Sequence, residues 1–117
     1  MTHIRYPEAE PFDFRGLTIR ELTPEGLDAA SFAEIEVPSG ASHQTARSIR
    51  SDKVYLCTQG KLLFRVAGRE IRLDAGDLLL IPKGDWFSYR NDTNQIARLF
   101  LVHIPPFDLE YEEFQGE

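Results

Sequence analysis

The sequence is short of several things that would commit it to a function. One cysteine, Cys57, stands in 117 residues, which excludes an internal disulfide and fits a reducing compartment. No apolar run approaches the length of a membrane span, because the longest candidate, "DLLLI", stops at Pro82. The opening segment "MTHIRYPEAE" lacks the apolar core of a secretory signal; a cytoplasmic location with no membrane partner is the expectation. Basic charge is also scarce: 13 Lys and Arg face 19 Asp and Glu, a net charge of −6. A general nucleic-acid binder needs cations to displace counterions, so nucleic acid is not an expected partner. An anionic small ligand stays open, since one or two buried cations set the field of a pocket. Part of the excess sits in the last ten residues, where Asp108, Glu110, Glu112, Glu113 and Glu117 read as a solvated acidic tail over 107–117.

What is present is a series of short β-rich runs separated by turn residues, the pattern of an all-β sandwich or barrel. "GLTIREL" sets Leu17, Ile19 and Glu21 against Thr18 and Arg20, and "FAEIEV" sets Ala33, Ile35 and Val37 against Glu34 and Glu36. A period of two marks half-buried strands. Ala67-Gly68 reads as a tight hairpin tip between "KLLFRV" and "REIRL", and Asp74-Ala75-Gly76-Asp77 as the next turn. "LLLIP" and "IARLFLVHI" are almost wholly apolar, so both faces of each are expected to be covered, by a second sheet or by another subunit. A single helical turn over 24–30 is possible, with Thr23 as its cap and Pro24 in its first position. The chain, 1–117, reads as one domain, with an N-terminal strand at 16–22.

Two spaced motifs sharpen the fold. Gly76, Pro82, Gly84, Phe87 and Asn91 follow G-x5-P-x-G-x2-H-x3-N at every frame position, with Phe87 where that pattern has histidine. Gly40 and Gly60 bracket G-x5-H-x-H-x4-E-x6-G without a gap, putting Ala46 and Ser48 at the histidines and Lys53 at the glutamate. On these motifs the chain resembles the cupins, small double-stranded β-helix (jelly-roll) barrels, over about 31–105. In that family three histidines and a glutamate hold a divalent metal. Methyl, phenyl and ammonium groups do not, and a three-residue spacer would offer Arg47 and Ile49 instead, so no metal and no cofactor is expected.

The resemblance implies that Lys53 enters the barrel with Tyr55 and Cys57 at alternate positions, facing Phe87 and Tyr89. A buried ammonium needs an anion, access to water or a lowered pKa. It either binds the carboxylate or phosphate of a ligand, pairs with an acidic side chain such as Asp52 or Asp77, or acts as a base or imine-forming amine. His43 lies near the expected mouth as a loop residue or a ligand contact. The face of His103 is not assigned by the pattern; a core or interface histidine is the simpler reading. Cys57 reads as core. Trp86, Phe87 and Tyr89 pack the core or stack on a flat ligand. Arg47 and Arg50 read as solvent-facing. The candidate ligand-binding set is therefore Lys53, Tyr55, Phe87, Tyr89, Ser48 and His43, in a protein expected to form a homodimer. Three functions are carried forward: metal-independent binding of a small anionic metabolite; a metal-free isomerase, epimerase or lyase; and a structural cupin whose pocket is filled by Phe87, Tyr89 and Tyr55.

Overall fold

The computed structural model describes residues 1–116. Eleven strands follow in chain order: β1 Pro11–Phe14, β2 Leu17–Glu21, β3 Ser31–Val37, β4 Ser42–Ser48, β5 Asp52–Gln59, β6 Lys61–Val66, β7 Arg69–Asp74, β8 Leu78–Ile81, β9 Phe87–Arg90, β10 Ala97–Ile104 and β11 Glu112–Phe114. They form two antiparallel sheets, one of six strands in the order β1-β2-β3-β10-β5-β8 and one of five in the order β11-β4-β9-β6-β7. Consecutive motif strands lie in opposite sheets, which is the jelly-roll arrangement. Among the described residues no helix is long and apolar enough to cross a membrane.

Alternation along the strands fills the space between the sheets. From β3 come Ile35 and Val37, from β5 Tyr55 and Cys57, from β6 Leu62 and Phe64, from β9 Phe87 and Tyr89, and from β10 Ala97, Leu99 and Leu101. The hairpin tip is built as the sequence suggests: Ala67 and Gly68 take φ of 49° and 81° between β6 and β7, the paired positive values of a two-residue hairpin turn. Gly60 has a different reason to be glycine. A Cβ there would come within 2.6 Å of the Ile96 carbonyl oxygen, at a φ of 70°. Asn91, at the end of the second motif, is buried. Its amide donates to the carbonyls of Val37 and Gln95, and its oxygen accepts from the Thr93 N–H and hydroxyl.

The structure adds to or departs from the sequence expectations at four places. The acidic segment leaves Glu110 and Glu113 exposed as expected, but it folds back on the barrel and buries the Glu112 side chain. Asp108 caps a short 3-10 turn at Leu109–Tyr111, Glu113 pairs with Arg47, and β11 adds to the edge of β4, so that Glu112 lies opposite Ser48; Glu117 lies outside the described residues. Within this one chain β8 is covered on one face only, and the second sheet is not what covers the other. Ile81 is buried but Leu78 and Leu80 are 63% and 54% exposed, because β8 is an edge strand and no second layer lies over its outer face. β10 alternates instead of being buried throughout, with its outer Phe100 stacked on Phe32. No helical turn forms at 24–30: the Thr23 hydroxyl accepts from Phe32 N–H across the loop, which ends in β3 rather than in a helix.

Replacing Asn91 by Ala strips partners from two carbonyls and from the N–H and hydroxyl of Thr93 in a part-buried turn. The expected loss is about 3 kcal/mol of unfolding free energy, measured by urea denaturation; a loss below about 1 kcal/mol would mean the network does not hold the β9–β10 connection.

Candidate functional site

The sheets do not close completely. A cavity of about 170 Å³ opens at one end of the sandwich, lined by His43, Lys53, Tyr55, Tyr89 and His103, with Glu112 and an apolar wall that includes Phe14 and Phe107. A dry cavity of about 150 Å³ accommodates a benzene-sized ring, so the space suits a small cyclic molecule.

Register explains how these side chains meet. Lys53 and His103 are direct partners across β5 and β10, and Tyr55 lies one inward step along β5 opposite Leu101. His43 is the direct partner of Tyr89 across β4 and β9, and Tyr89 that of Phe64 across β6. The pairing of β4 with β9 shifts between His43 and Ala46. The irregularity turns His43 to the same side as Ala46, although the two are three residues apart and strict alternation would separate them. Its ring lies 5.1 Å from that of Phe87 and 5.2 Å from that of Tyr89.

Lys53 Nζ lies 2.7 Å from His103 Nε2 and 2.8 Å from Glu112 Oε1, with both side chains of the ion pair at least 95% buried. Burial lowers the pKa of Lys53, and the charge and hydrogen bond of Glu112 oppose that shift. An ammonium donates both contacts, so His103 Nε2 accepts and His103 is neutral. Burial, then the Lys53 charge, takes its pKa down to about 3. His43 Nδ1 lies 2.6 Å from the Gln44 carbonyl, which only accepts. The proton is therefore on Nδ1, and Nε2 keeps its lone pair. Burial is the main cause of its pKa of about 4, with the Lys53 and Arg15 charges adding and the Gln44 bond opposing. Burial also raises the phenols of Tyr55 and Tyr89 well above their ordinary range. Two buried oxygens in this wall, the Tyr89 hydroxyl and Glu112 Oε2, have no hydrogen-bond partner among the described residues.

Of the six ligand-binding candidates, Lys53, Tyr55, Tyr89 and His43 line the cavity. Ser48 and Phe87 do not: the Ser48 hydroxyl accepts from the Arg50 and Ser51 N–H groups, and Phe87 is core, its ring 5.4 Å from Lys53 Nζ. The other side chains are also accounted for. Cys57 is buried and free. Arg47 lies over Trp86, and Arg50 over Tyr111 while donating to the Pro106 carbonyl. Asp52 accepts from Lys83 N–H and Asp77 from Asp74 N–H, so neither carboxylate is the partner of Lys53. Glu112 is the site residue that sequence reasoning missed, and His103, whose face the pattern left unassigned, joins it in the cavity wall. The excess of carboxylates in 107–117 was the only available signal for Glu112.

The positions that cupins give to metal ligands carry a methyl, a hydroxyl already bonded to two amides, an ion-paired ammonium and a phenyl ring. This donor set does not fit a divalent cation. Among the described residues no three His, Cys, Asp or Glu side chains are grouped to hold one elsewhere.

Residues 33–103 match the cupin domain family. The chain belongs to that family. Two curated relatives align with it: the endoribonuclease YbeY of Myxococcus xanthus, 35% identical over 80 residues, and the tetracenomycin polyketide synthase protein TcmJ of Streptomyces glaucescens, 32% identical over 92. The matches cover 68% and 77% of this chain but only 27% and 62% of those proteins. Among solved structures, the nucleoside dehydratase Pac13 superposes with a TM-score of 0.85 at 19% identity, covering 97% of this chain and 90% of that one. Streptomyces PAC13 has also been solved with uridine in two tyrosine-to-phenylalanine variants and one histidine-to-glutamine variant. The polyketide cyclase RemF of Streptomyces resistomycificus superposes at 0.79 with 18% identity, over 89% of this chain and 79% of that one. Likeness at these identities shows a shared fold.

The two neutral histidines carry a pH signature. Each has a folded-state pKa below its unfolded value of about 6.5, so the unfolded chain gains protons first as pH falls. Their contribution to stability is intact above that value and is lost toward pH 4, each at about 1.4 kcal/mol per pH unit. Urea midpoints are expected to fall between about pH 7 and pH 5, and to fall less steeply in His43→Asn. A flat wild-type profile would place both imidazoles in water.

Proposed function

We propose that this cupin is a metal-independent lyase that removes water from a small cyclic metabolite by general acid–base catalysis. The observation that carries this reading is the buried contact of Lys53 Nζ with both His103 Nε2 and Glu112 Oε1 in a cavity that also holds neutral His43. A simple binding site needs no such proton-sharing chain, and a collapsed barrel would leave no cavity.

In this reading His43 Nε2 is the base. It takes a proton from the carbon next to an electron-withdrawing group; the C–H electron pair forms the new C=C bond and the neighbouring C–O bond breaks. The leaving oxygen takes its proton from the Lys53 ammonium, and Glu112 steadies that charge before transfer. The Tyr89 hydroxyl, held protonated by burial, donates to the oxygen on which negative charge develops. Afterwards the proton on His43 leaves with solvent and Lys53 is reprotonated through the cavity mouth. Phe14 and Phe107 supply the apolar faces that a flat ring would contact.

The similarity to a nucleoside dehydratase supports this reaction class, and its uridine-bound variants replace the same residue types, histidine and tyrosine, that meet in this cavity. Similarity to TcmJ and RemF supports a second substrate class, a polyketide ring, on which the same groups would move protons.

The test is incubation with nucleosides and their oxidised derivatives, and with β-hydroxyketone rings, scored by mass spectrometry for loss of water and by NMR for deuterium uptake at carbon. Turnover is expected to survive chelators. It should drop by about 10²- to 10⁴-fold in His43→Gln and in Lys53→Met, with about tenfold or more lost in Tyr89→Phe. Turnover that a chelator abolishes and a divalent metal restores, or that persists in His43→Gln, would overturn the assignment.

A further inference from the structure

Glu112 does more than neutralise a lysine. Oε1 takes the Lys53 ammonium, while Oε2 is buried, has no partner among the described residues and belongs to a side chain that lines the cavity. A desolvated carboxylate oxygen left without a donor is costly, and what meets it must bring an O–H or N–H. The Tyr89 hydroxyl in the same wall has the same shortage. Its hydrogen can serve an acceptor on the same molecule.

The charges around the cavity point the same way. Lys53 and Glu112 cancel within 2.8 Å, His43 and His103 are neutral, and the tyrosines are protonated. The other charged side chain that lines the cavity is Glu21, exposed and accepting from the Thr23 N–H, while the Arg15 guanidinium stands outside the lining, over the Phe14 ring and bonded to Gln44. An anion entering here would find its cation already paired and a negative charge at the mouth. A cation would meet Lys53 itself. The expectation of an anionic ligand rested on a lysine without a protein partner, and Glu112 supplies that partner.

We infer that Glu112 fixes the ligand class of the cavity: an uncharged molecule that donates a hydroxyl or imide hydrogen to Oε2 and presents an acceptor to the Tyr89 hydroxyl. This rests on the reading of the cavity as a ligand site, but not on turnover.

Calorimetric titration tests it, with uridine as the uncharged donor and with uridine monophosphate, inorganic phosphate and acetate as anions, against wild type and Glu112→Gln at a slightly acid pH that keeps Lys53 charged. Wild type is expected to bind uridine at least tenfold more tightly than any of the anions. Glu112→Gln replaces an acceptor with an amide and leaves Lys53 without its counter-charge. The ranking should therefore invert, with uridine about tenfold or more weaker and phosphate or acetate at least tenfold tighter. Should the variant fail to fold, wild type alone decides: uridine analogues methylated on the imide nitrogen or lacking the ribose hydroxyls remove the donors, and at least one should bind about tenfold more weakly.

Anions that bind wild type as tightly as uridine, an unchanged ranking in Glu112→Gln, donor-free analogues that bind as well as uridine, or no binding of any probe would each overturn the inference. Absent turnover with the inverted ranking intact would sink the lyase reading alone.

Discussion

An ammonium buried in the wall of a small β-sandwich is the constraint on which the rest of this structure depends. Lys53 cannot keep its charge there without an anion, and the barrel strands supply none. The anion comes from beyond the last core strand, on a segment that has to fold back to deliver it. That need accounts for the path of the chain after β10. The Pro105 and Pro106 carbonyls accept from the Ser51 hydroxyl and Arg50. The Ser31 hydroxyl takes the Phe107 N–H, and Ile49 N–H is fixed to the Tyr111 carbonyl. Each contact is small, but together they bring Glu112 opposite Ser48 and within 2.8 Å of Lys53. Breaking such a pair by removing one partner costs far more than the pair contributes over an apolar substitute. The strand that completes the cavity and the charge that needs it are therefore coupled.

The family frame and the site chemistry separate cleanly. Gly60, Gly76, Gly84 and Asn91 serve the backbone: a close approach to Ile96, positive-φ turns and a buried amide network. None of these depends on what the barrel contains, which is why the frame is intact while the metal-ligand positions carry other side chains. At those positions a hydroxyl has become a turn acceptor, a methyl and a phenyl have become core, and one ammonium has become the centre of a hydrogen-bonded chain.

The same division decides what could be read from the sequence. Alternation in β3, the hairpin at Ala67-Gly68 and the spacing of the glycines are local signals that identified the fold, and the resemblance to cupins then implied the inward positions of Lys53, Tyr55 and Tyr89. His43 was placed near the mouth, but its face was not legible, because a register shift in β4 breaks the period of two on which any assignment of its face relies. His103 was not legible because β10 is apolar on both faces, so composition hides its alternation; only the pairing with β5 shows it opposite Lys53. Glu112 was the least accessible of all. It lies 59 residues from Lys53 in the chain, and nothing in an acid-rich stretch distinguishes the one carboxylate that is buried from its neighbours, which cap a turn or pair with a surface arginine.

Charge pairing and burial together limit the chemistry this cavity can support. A metal site would polarise a substrate with a fixed positive charge, whereas here the positive charge is held by a single proton on Lys53 between two possible acceptors. Moving that proton to His103 would relocate the cation, and moving it to Glu112 would replace the ion pair by a neutral one, in a poorly solvated space where such changes are felt strongly. Protonation of His43 on the facing sheet is opposed first by burial and then also by the charge of Lys53, so in the proposed reaction it would become easier as that charge leaves. The two sides of the cavity are thus electrostatically linked across the ligand space. Under the proposed lyase reading, one side would accept a proton most readily when the other has released its own, the condition that a concerted acid–base reaction requires.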